Sequence, residues 1–125
     1  MRHSCKRNSL SLPADQRDAL MKSLARALLV NGRIKTTNTR AKLLRSFIEK
    51  LLTKAKKSLA ADESSKKLHY IRLIRRVLAG DLIQPLFKFA GALSDRSSGY
   101  TRIVKLTTQR QGDNSPMALI EILEA

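Results

Sequence analysis

Four cations lie within twelve residues of the segment N-G-R-I-K-T-T-N-T-R-A-K, residues 31 to 42, and no acid lies among them. They are Arg33, Lys35, Arg40 and Lys42. Like charges this close together repel one another unless a partner of opposite charge relieves the repulsion. Lys and Arg side chains bind phosphate oxygens and release the counterions condensed around a nucleic acid. The segment therefore predicts binding to a polyanion through its phosphates.

The charge of the whole chain indicates the same kind of partner. The 125 residues carry a formal net charge of +15, and residues 1 to 76 hold 20 of the 25 Lys and Arg. Residues 77 to 125 hold five basic and five acidic residues and are neutral. The chain has no Trp, three Phe and two Tyr. So few aromatic rings argue against stacking of single-stranded bases and favour folded, double-helical RNA.

Groups that could carry out catalysis or bind a metal are scarce. Neither of the two histidines, His3 and His69, has a base or nucleophile paired with it, and Cys5 is the one cysteine. Metal sites need clustered ligands, and nucleotide-binding loops need a glycine-rich pattern that does not occur here. The sequence therefore predicts a protein that is not an enzyme and has no cofactor, metal or small-molecule substrate.

Periodic apolar residues predict the helices that position these cations. The first helix starts at Pro13 and ends at Asn31-Gly32, a pair typical of a C-terminal stop. Thr36 or Thr37 caps the second helix, whose cations include Lys42 and Arg45. The predicted apolar faces are Leu20, Leu24, Ala27 and Leu28 on the first helix and Leu43, Leu44, Phe47, Ile48, Leu51, Leu52 and Ala55 on the second.

A loop is predicted for residues 58 to 65, followed by a third helix that runs from Ser64 or Ser65 to Gly80. Its apolar face is Leu68, Ile71, Ile74 and Leu78, and it leaves Arg72, Arg75 and Arg76 for a partner. Asp81 is the predicted cap of a short fourth helix, although Pro85 follows about one turn later.

The period changes after Gly99, where residues 100 to 107 and 117 to 123 are rich in β-branched or apolar residues. Both segments are predicted as strands, with a third near residues 33 to 36 and an exposed Arg110 in the loop between the first two. The predicted fold class is α+β, with three to four helices followed by a small mixed sheet. Residues 1 to 12 are predicted as a basic N-terminal arm and residues 13 to 125 as a single domain.

Four stretches in this order resemble one known family. They are M-R-H, N-G-R-I-K-T-T-N-T-R-A-K, S-S-G-Y-T-R-I-V-K-L and Q-G-D-N-S-P-M-A-L-I-E-I-L. Together they are similar to the bacterial-type large-subunit ribosomal protein of the L-seventeen family, in register over nearly the whole chain. The piece P-A-D-Q-R is more similar to cyanobacterial and plastid members.

The resemblance implies a structural constituent of the large ribosomal subunit that braces ribosomal RNA near the polypeptide exit side, next to other large-subunit proteins. It implies RNA contacts for Arg2, His3, Lys6 and Arg7 in the arm, for Arg33, Lys35, Thr36 and Thr37 in the second stretch, and for Tyr100 and Arg102 in the third. Arg40, Lys42, Arg45, Arg72, Arg76 and Arg110 join the predicted RNA-binding set because of their charge. The implied location is the ribosome, in bacterial cytoplasm or in an organelle such as a plastid.

Two other classes of function use the same residues. A stand-alone basic nucleic-acid-binding regulator would need a dimer surface and base-reading side chains at the start of a helix, and neither is evident. The second class is a basic amphipathic helix protein on anionic membranes, and the capped helices and the predicted mixed sheet argue against it. The chain has no apolar run of the roughly 18 to 20 residues that cross a bilayer and no export signal, so we expect an intracellular protein without a membrane partner.

Overall fold

Within residues 9 to 123, four helices and three strands form an α+β fold, as the sequence predicts. The structure, a computed structural model, describes residue 3 and residues 9 to 123. The elements are α1 (Ala14–Asn31), β1 (Arg33–Thr37), α2 (Asn38–Ala60), α3 (Ser64–Arg75), a 3-10 turn (Gly80–Leu82), α4 (Ile83–Ala92), β2 (Thr101–Gln109) and β3 (Pro116–Ile122). The sheet has the order β1-β3-β2, and both pairings are antiparallel. The prediction of a mixed sheet is therefore wrong.

α1 has the boundaries that its sequence predicts, and Leu28 is buried as predicted, but the rest of the buried face is shifted by about one residue. Gly32 follows the helix with a φ of 79°, and its N–H donates to the carbonyl of Leu28 over 2.7 Å. Glycine adopts this left-handed conformation without steric cost. The buried side chains are Met21, Ala25, Leu28 and Leu29. Leu20, Leu24 and Ala27 are only half-buried. The helical period fits both sets, and packing against α2, α4 and the sheet selects between them.

α2 is the central element, because it contacts all three other helices and all three strands. Leu44, Ile48 and Leu52 are fully buried along it, as predicted. Leu43 and Phe47 lie at the border of this face and are half-buried. Thr37 occupies the predicted cap position, but its side chain makes no capping hydrogen bond.

The region after α2 departs from its predicted boundaries. α2 continues to Ala60, so the loop before α3 is three residues long rather than eight. α3 ends at Arg75 instead of Gly80. Ile74 and Leu78 are buried as predicted, but Leu68 is half-exposed. Ending the helix early lets the chain turn, so that Leu78 and then Leu82 enter the same core as Ile74.

Asp81 is not the predicted cap of α4. It lies in the 3-10 turn, and its Oδ2 accepts a hydrogen bond from Nη2 of Arg26 over 2.8 Å. Pro85 is the third residue of α4. The first N–H groups of a helix have no intrahelical acceptor, so proline removes no hydrogen bond at this position.

The sheet covers one side of the helices through its inner face. β3 is the central strand and buries Ala118, Ile120 and Ile122. Ile34 of β1 and Ile103 of β2 are the register partners of Ile120. Directly opposed residues in an antiparallel sheet point to the same face, so these three isoleucines share the inner face. The alternate positions form an outer face that points away from the helices.

Candidate nucleic-acid interface

Three predicted RNA-binding cations lie on the outer face of the sheet. Arg33 and Lys35 stand on β1, one of the two edge strands, and Arg102 stands on β2, the other. All three side chains are exposed. They alternate with the inner residues Ile34, Thr36 and Ile103, as the two-residue period of a strand requires. The sheet therefore presents cations from two distant parts of the chain on one surface.

Glu121 lies between two of these cations. The register places Arg33 opposite Glu121 and Glu121 opposite Arg102, so the three side chains form one row across the sheet. Nε of Arg102 donates to Oε1 of Glu121 over 2.7 Å, and Nη2 donates to the same oxygen. Within residues 9 to 123, Arg33 and Lys35 form no ion pair. The positive charge of β1 is thus available to an anion.

The next row of the outer face is apolar in its centre. Lys35 stands opposite Leu119, and Leu119 stands opposite Val104, which is 42% exposed. Leu119 itself is half-buried. The cations therefore lie at the sides of a small apolar strip rather than on a uniformly charged surface.

A second group of cations follows the solvent side of α2. Lys42, Lys50 and Lys57 are exposed and lie seven or eight residues apart. With a rise of 1.5 Å per residue, this row advances by about 11 Å along the helix axis from one lysine to the next. Arg45 is exposed as well, but its Nε lies 3.6 Å from Oε1 of Glu49. Lys42 and Arg45 belong to the predicted RNA-binding set, whereas Lys50 and Lys57 do not, although the helical period also places them on the exposed side.

Helix α3 and the turn after it expose a third group of cations. Arg72, Arg75 and Arg76 are all exposed. Nζ of Lys66 on α3 forms an ion pair over 3.8 Å with Oε2 of Glu63, the residue before the helix. Arg72 and Arg76, which belong to the predicted RNA-binding set, are thus exposed to solvent.

Arg40 and Arg110 both line a groove beside the first turn of α2. The groove has a volume of about 280 Å³ and is lined by Leu10, Leu12, Thr37, Thr39, Arg40, Arg110, Ser115 and Pro116. Arg40 and Thr37 are half-buried there. The structure thus brings together residues from the end of the predicted arm, the start of α2 and the loop between β2 and β3.

Arg110 is held within its own loop. Its Nε donates to Oδ1 of Asp113 over 3.0 Å, and its Nη2 donates to Oδ2. The hydroxyl of Ser115 donates to Oδ2 over 2.6 Å. The hydrogen bond from Arg110, followed by that from Ser115, holds the pKa of the Asp113 carboxyl well below its ordinary range. The same hydrogen bond raises the pKa of Arg110.

We predict that the Asp113 carboxyl titrates at a lower pH than the ordinary value of about 3.9. Because its pKa is depressed in the folded chain, the stabilisation of the loop is present above the ordinary pKa and is lost as pH falls through the depressed one. Arg110→Ala should move the pKa of Asp113 back toward the ordinary value in a carboxyl NMR titration. Lys105→Ala is the control and should leave it unchanged. An identical titration of Asp113 with and without Arg110 would contradict the assignment.

Two predicted contact residues are buried instead. The side chain of Tyr100 is in the core with 4% exposure, and its hydroxyl donates to the carbonyl of Ser97 over 3.0 Å. Nζ of Lys56 lies 4.8 Å from the centre of the Tyr100 ring and donates to the carbonyl of Arg96. Thr36 is 7% exposed. Tyr100 and Lys56 thus position the loop before β2, and neither Tyr100 nor Thr36 offers an exposed side chain to RNA.

The predicted arm is largely outside the described residues. Arg2, Lys6 and Arg7 fall there, as does Cys5. His3 is described and exposed. The other histidine, His69, is exposed on α3 with its ring 5.4 Å from that of Tyr70.

Within the described part of the chain, no group of three or more His, Cys, Asp or Glu side chains could hold a metal ion. None of the helices formed by residues 14 to 92 is long and apolar enough to cross a membrane.

Comparison with known proteins shows that the chain matches one protein family. A family model described as Ribosomal protein L17 matches residues 20 to 123. The chain belongs to the ribosomal protein L17 family. This family is a structural component rather than an enzyme.

Three relatives that match nearly the whole chain support the ribosomal protein L17 assignment. The large ribosomal subunit protein bL17 of Opitutus terrae is 42% identical over 127 residues, which cover 100% of this chain and 74% of the relative. The protein of the same name from Persephonella marina is 45% identical, with 99% and 96% covered. That from a Sulfurihydrogenibium species is 44% identical, with 99% and 98% covered. These relatives are bacterial, so the similarity to plastid members stays an expectation.

Three of the four stretches that carry the resemblance to the ribosomal protein L17 family meet in the sheet. The second stretch contains β1, the third contains the start of β2, and the fourth contains β3. The residues that make the family recognisable thus build the surface that carries Arg33, Lys35 and Arg102.

Proposed function

We propose that this protein is a structural constituent of the large ribosomal subunit that binds and braces ribosomal RNA through backbone phosphates. The observation that carries the proposal is the outer face of the sheet in a chain of the ribosomal protein L17 family. Arg33 and Lys35 are exposed there, and no ion pair within residues 9 to 123 neutralises them. The negative charge of a phosphate backbone balances these cations, which explains why so many can lie close together.

RNA contacts from separate surfaces would brace the RNA rather than read its sequence. The outer sheet face, the exposed row of α2 and the cations of α3 lie on different elements, and each can take phosphates of a different RNA segment. Residues 1 to 12 act as a basic arm in this proposal, and residues 13 to 125 form the domain that carries the other contacts. Arg2, His3, Lys6 and Arg7 are the contacts assigned to the arm.

The expected location of the protein follows from its relatives. The relatives named above are large ribosomal subunit proteins, so the protein is expected on the ribosome, and its partners are large-subunit ribosomal RNA and neighbouring large-subunit proteins. We place it near the polypeptide exit side, as the resemblance implies. The surrounding compartment is bacterial cytoplasm or an organelle matrix.

Sedimentation of a native extract through a sucrose gradient tests the proposed function. At low salt we expect the protein to migrate with the large ribosomal subunit. At high salt it should leave the subunit, because about six to ten phosphate contacts lose ~10³ to 10⁵ in affinity between low and moderate salt. Migration free of RNA at low salt would reject the proposal. In that case the stand-alone nucleic-acid-binding regulator, tested by binding to DNA, becomes the leading alternative.

A further inference from the structure

A polar cleft lies at the end of the sheet where α1 passes into β1. Its volume is about 330 Å³, and its lining includes Gly32, Arg33, Arg102, Glu121 and Ile122. The N–H of Ile122 donates to the carbonyl of Gly32 over 3.0 Å, which ties the end of β3 to the start of β1. The cleft therefore combines two arginines, which bind anions, with one carboxylate, which repels them.

Glu121 is fixed in the centre of this cleft. Its side chain is 19% exposed, and its Oε1 accepts both hydrogen bonds from Arg102. From the described residues, no donor reaches Oε2. An ionised carboxylate has about four acceptor positions. Glu121 thus keeps an acceptor for a further hydrogen bond while Arg102 holds its orientation.

The spacing between Arg33, Glu121 and Arg102 indicates which part of a nucleic acid each side chain can contact. Arg33 and Arg102 are separated by the central strand, so their backbones lie about 10 Å apart, twice the usual distance between strands. Phosphates can bind at both arginines, but the carboxylate between them excludes a third anion. In a nucleic-acid strand the group between two phosphates is a sugar. The ribose 2′-hydroxyl is the hydrogen-bond donor that distinguishes RNA from DNA.

We propose that this cleft is a ribonucleotide subsite in which Arg33 and Arg102 bind backbone phosphates and Glu121 accepts a hydrogen bond from a ribose 2′-hydroxyl. The proposal rests on the proposed function, because it assigns a role to one acid within that RNA-binding surface. It gives the surface a preference for RNA that cations alone do not provide.

A simpler role for Glu121 predicts the opposite effect on binding. As a cross-strand partner of Arg102, Glu121 could serve only to balance charge within the sheet. Removal of a carboxylate from a cationic surface then strengthens the binding of any phosphate chain. Under the subsite proposal, removal weakens the binding of ribose-containing RNA and has no such effect on a chain that lacks the 2′-hydroxyl.

The test compares two chemical forms of one RNA. The probe is the shortest large-subunit ribosomal RNA fragment that the protein protects from nuclease, prepared with ribose and with 2′-fluoro nucleotides. Both forms favour the same helix geometry, but the 2′-fluoro form has no hydroxyl donor. Glu121→Leu should reduce the preference for the ribose form about tenfold, the strength of one hydrogen bond to a charged group. Glu121→Gln, which keeps an acceptor, should retain part of that preference.

The possible outcomes separate the two proposals. Absence of any protected fragment would overturn the proposed function and this subsite with it. A protected fragment whose ribose preference is unchanged in both variants would overturn the subsite alone. Tighter binding of both RNA forms by Glu121→Leu would assign Glu121 to charge balance. If Glu121→Leu fails to fold, Glu121→Gln decides between the two roles of Glu121. A Glu121→Gln variant that keeps the full ribose preference and binds both RNA forms more tightly would assign Glu121 to charge balance.

Discussion

Replacing Arg33 and Lys35 together by alanine is expected to lower the affinity for large-subunit ribosomal RNA about a hundredfold at low salt, or about tenfold for each lost charge-assisted contact. The slope of log affinity against log salt should become shallower by about two, because each neutralised phosphate contributes about one. Both side chains are exposed on an edge strand, so the fold should change little. Binding titrations at several salt concentrations measure both quantities.

A variant that removes the same charge elsewhere is the matched control. Lys22 on α1 and Lys88 on α4 are exposed and are not among the predicted contact residues. Lys22→Ala with Lys88→Ala lowers the net charge by the same amount, but should leave the salt slope nearly unchanged. Equal losses in the two double variants would mean that total charge, and not the outer face of the sheet, controls binding. An unchanged affinity for the Arg33 and Lys35 variant would remove these residues from the interface.

Replacing Leu44 by alanine is expected to cost ~2 to 5 kcal/mol of unfolding free energy, the usual range for a leucine deleted from a packed core. Leu44 is fully buried on α2, the element that contacts every other helix and strand. Typical domains have a total stability of about 5 to 15 kcal/mol, so this single change removes a large part of it. Denaturant unfolding followed by circular dichroism measures the loss.

The control for Leu44 is an exposed aliphatic residue. Val30 lies on α1 with 65% exposure, so Val30→Ala should change the unfolding free energy by less than about 0.5 kcal/mol. A midpoint for Leu44→Ala that matches the wild-type value would show that Leu44 is outside the core. RNA binding by the folded fraction of Leu44→Ala should be normal, because Leu44 contributes no surface.

Elements with strong local signals could be predicted from the sequence. Asn31-Gly32 predicts the end of α1, and the structure confirms it through the left-handed Gly32. β-branched residues between 100 and 107 predict β2, which extends from Thr101 to Gln109. These signals lie within a few residues of the element they define, so no information about distant parts of the chain is needed.

Apolar periods that fit more than one helix face or helix length do not determine the structure by themselves. The apolar residues of α1 fit two faces about one residue apart, and only tertiary contacts with α2, α4 and the sheet favour Met21 and Ala25. α3 was predicted five residues too long, because its apolar period continues through Leu78 while the chain already turns. Tyr100 was assigned to RNA by resemblance, yet its ring packs beside Lys56 in the core.

The sequence by itself determined the basic character of the chain, its α+β class, its family and most of the cations that are exposed on its surface. Composition and short-range periodicity can be read from the sequence directly, so they do not depend on the tertiary structure. The tertiary structure decided that Arg33, Glu121 and Arg102 form one row, although Glu121 lies 88 residues after Arg33. Strand register depends on how the inner faces of all three strands pack against α2. That long-range packing, which no local pattern encodes, placed a single acid between two arginines.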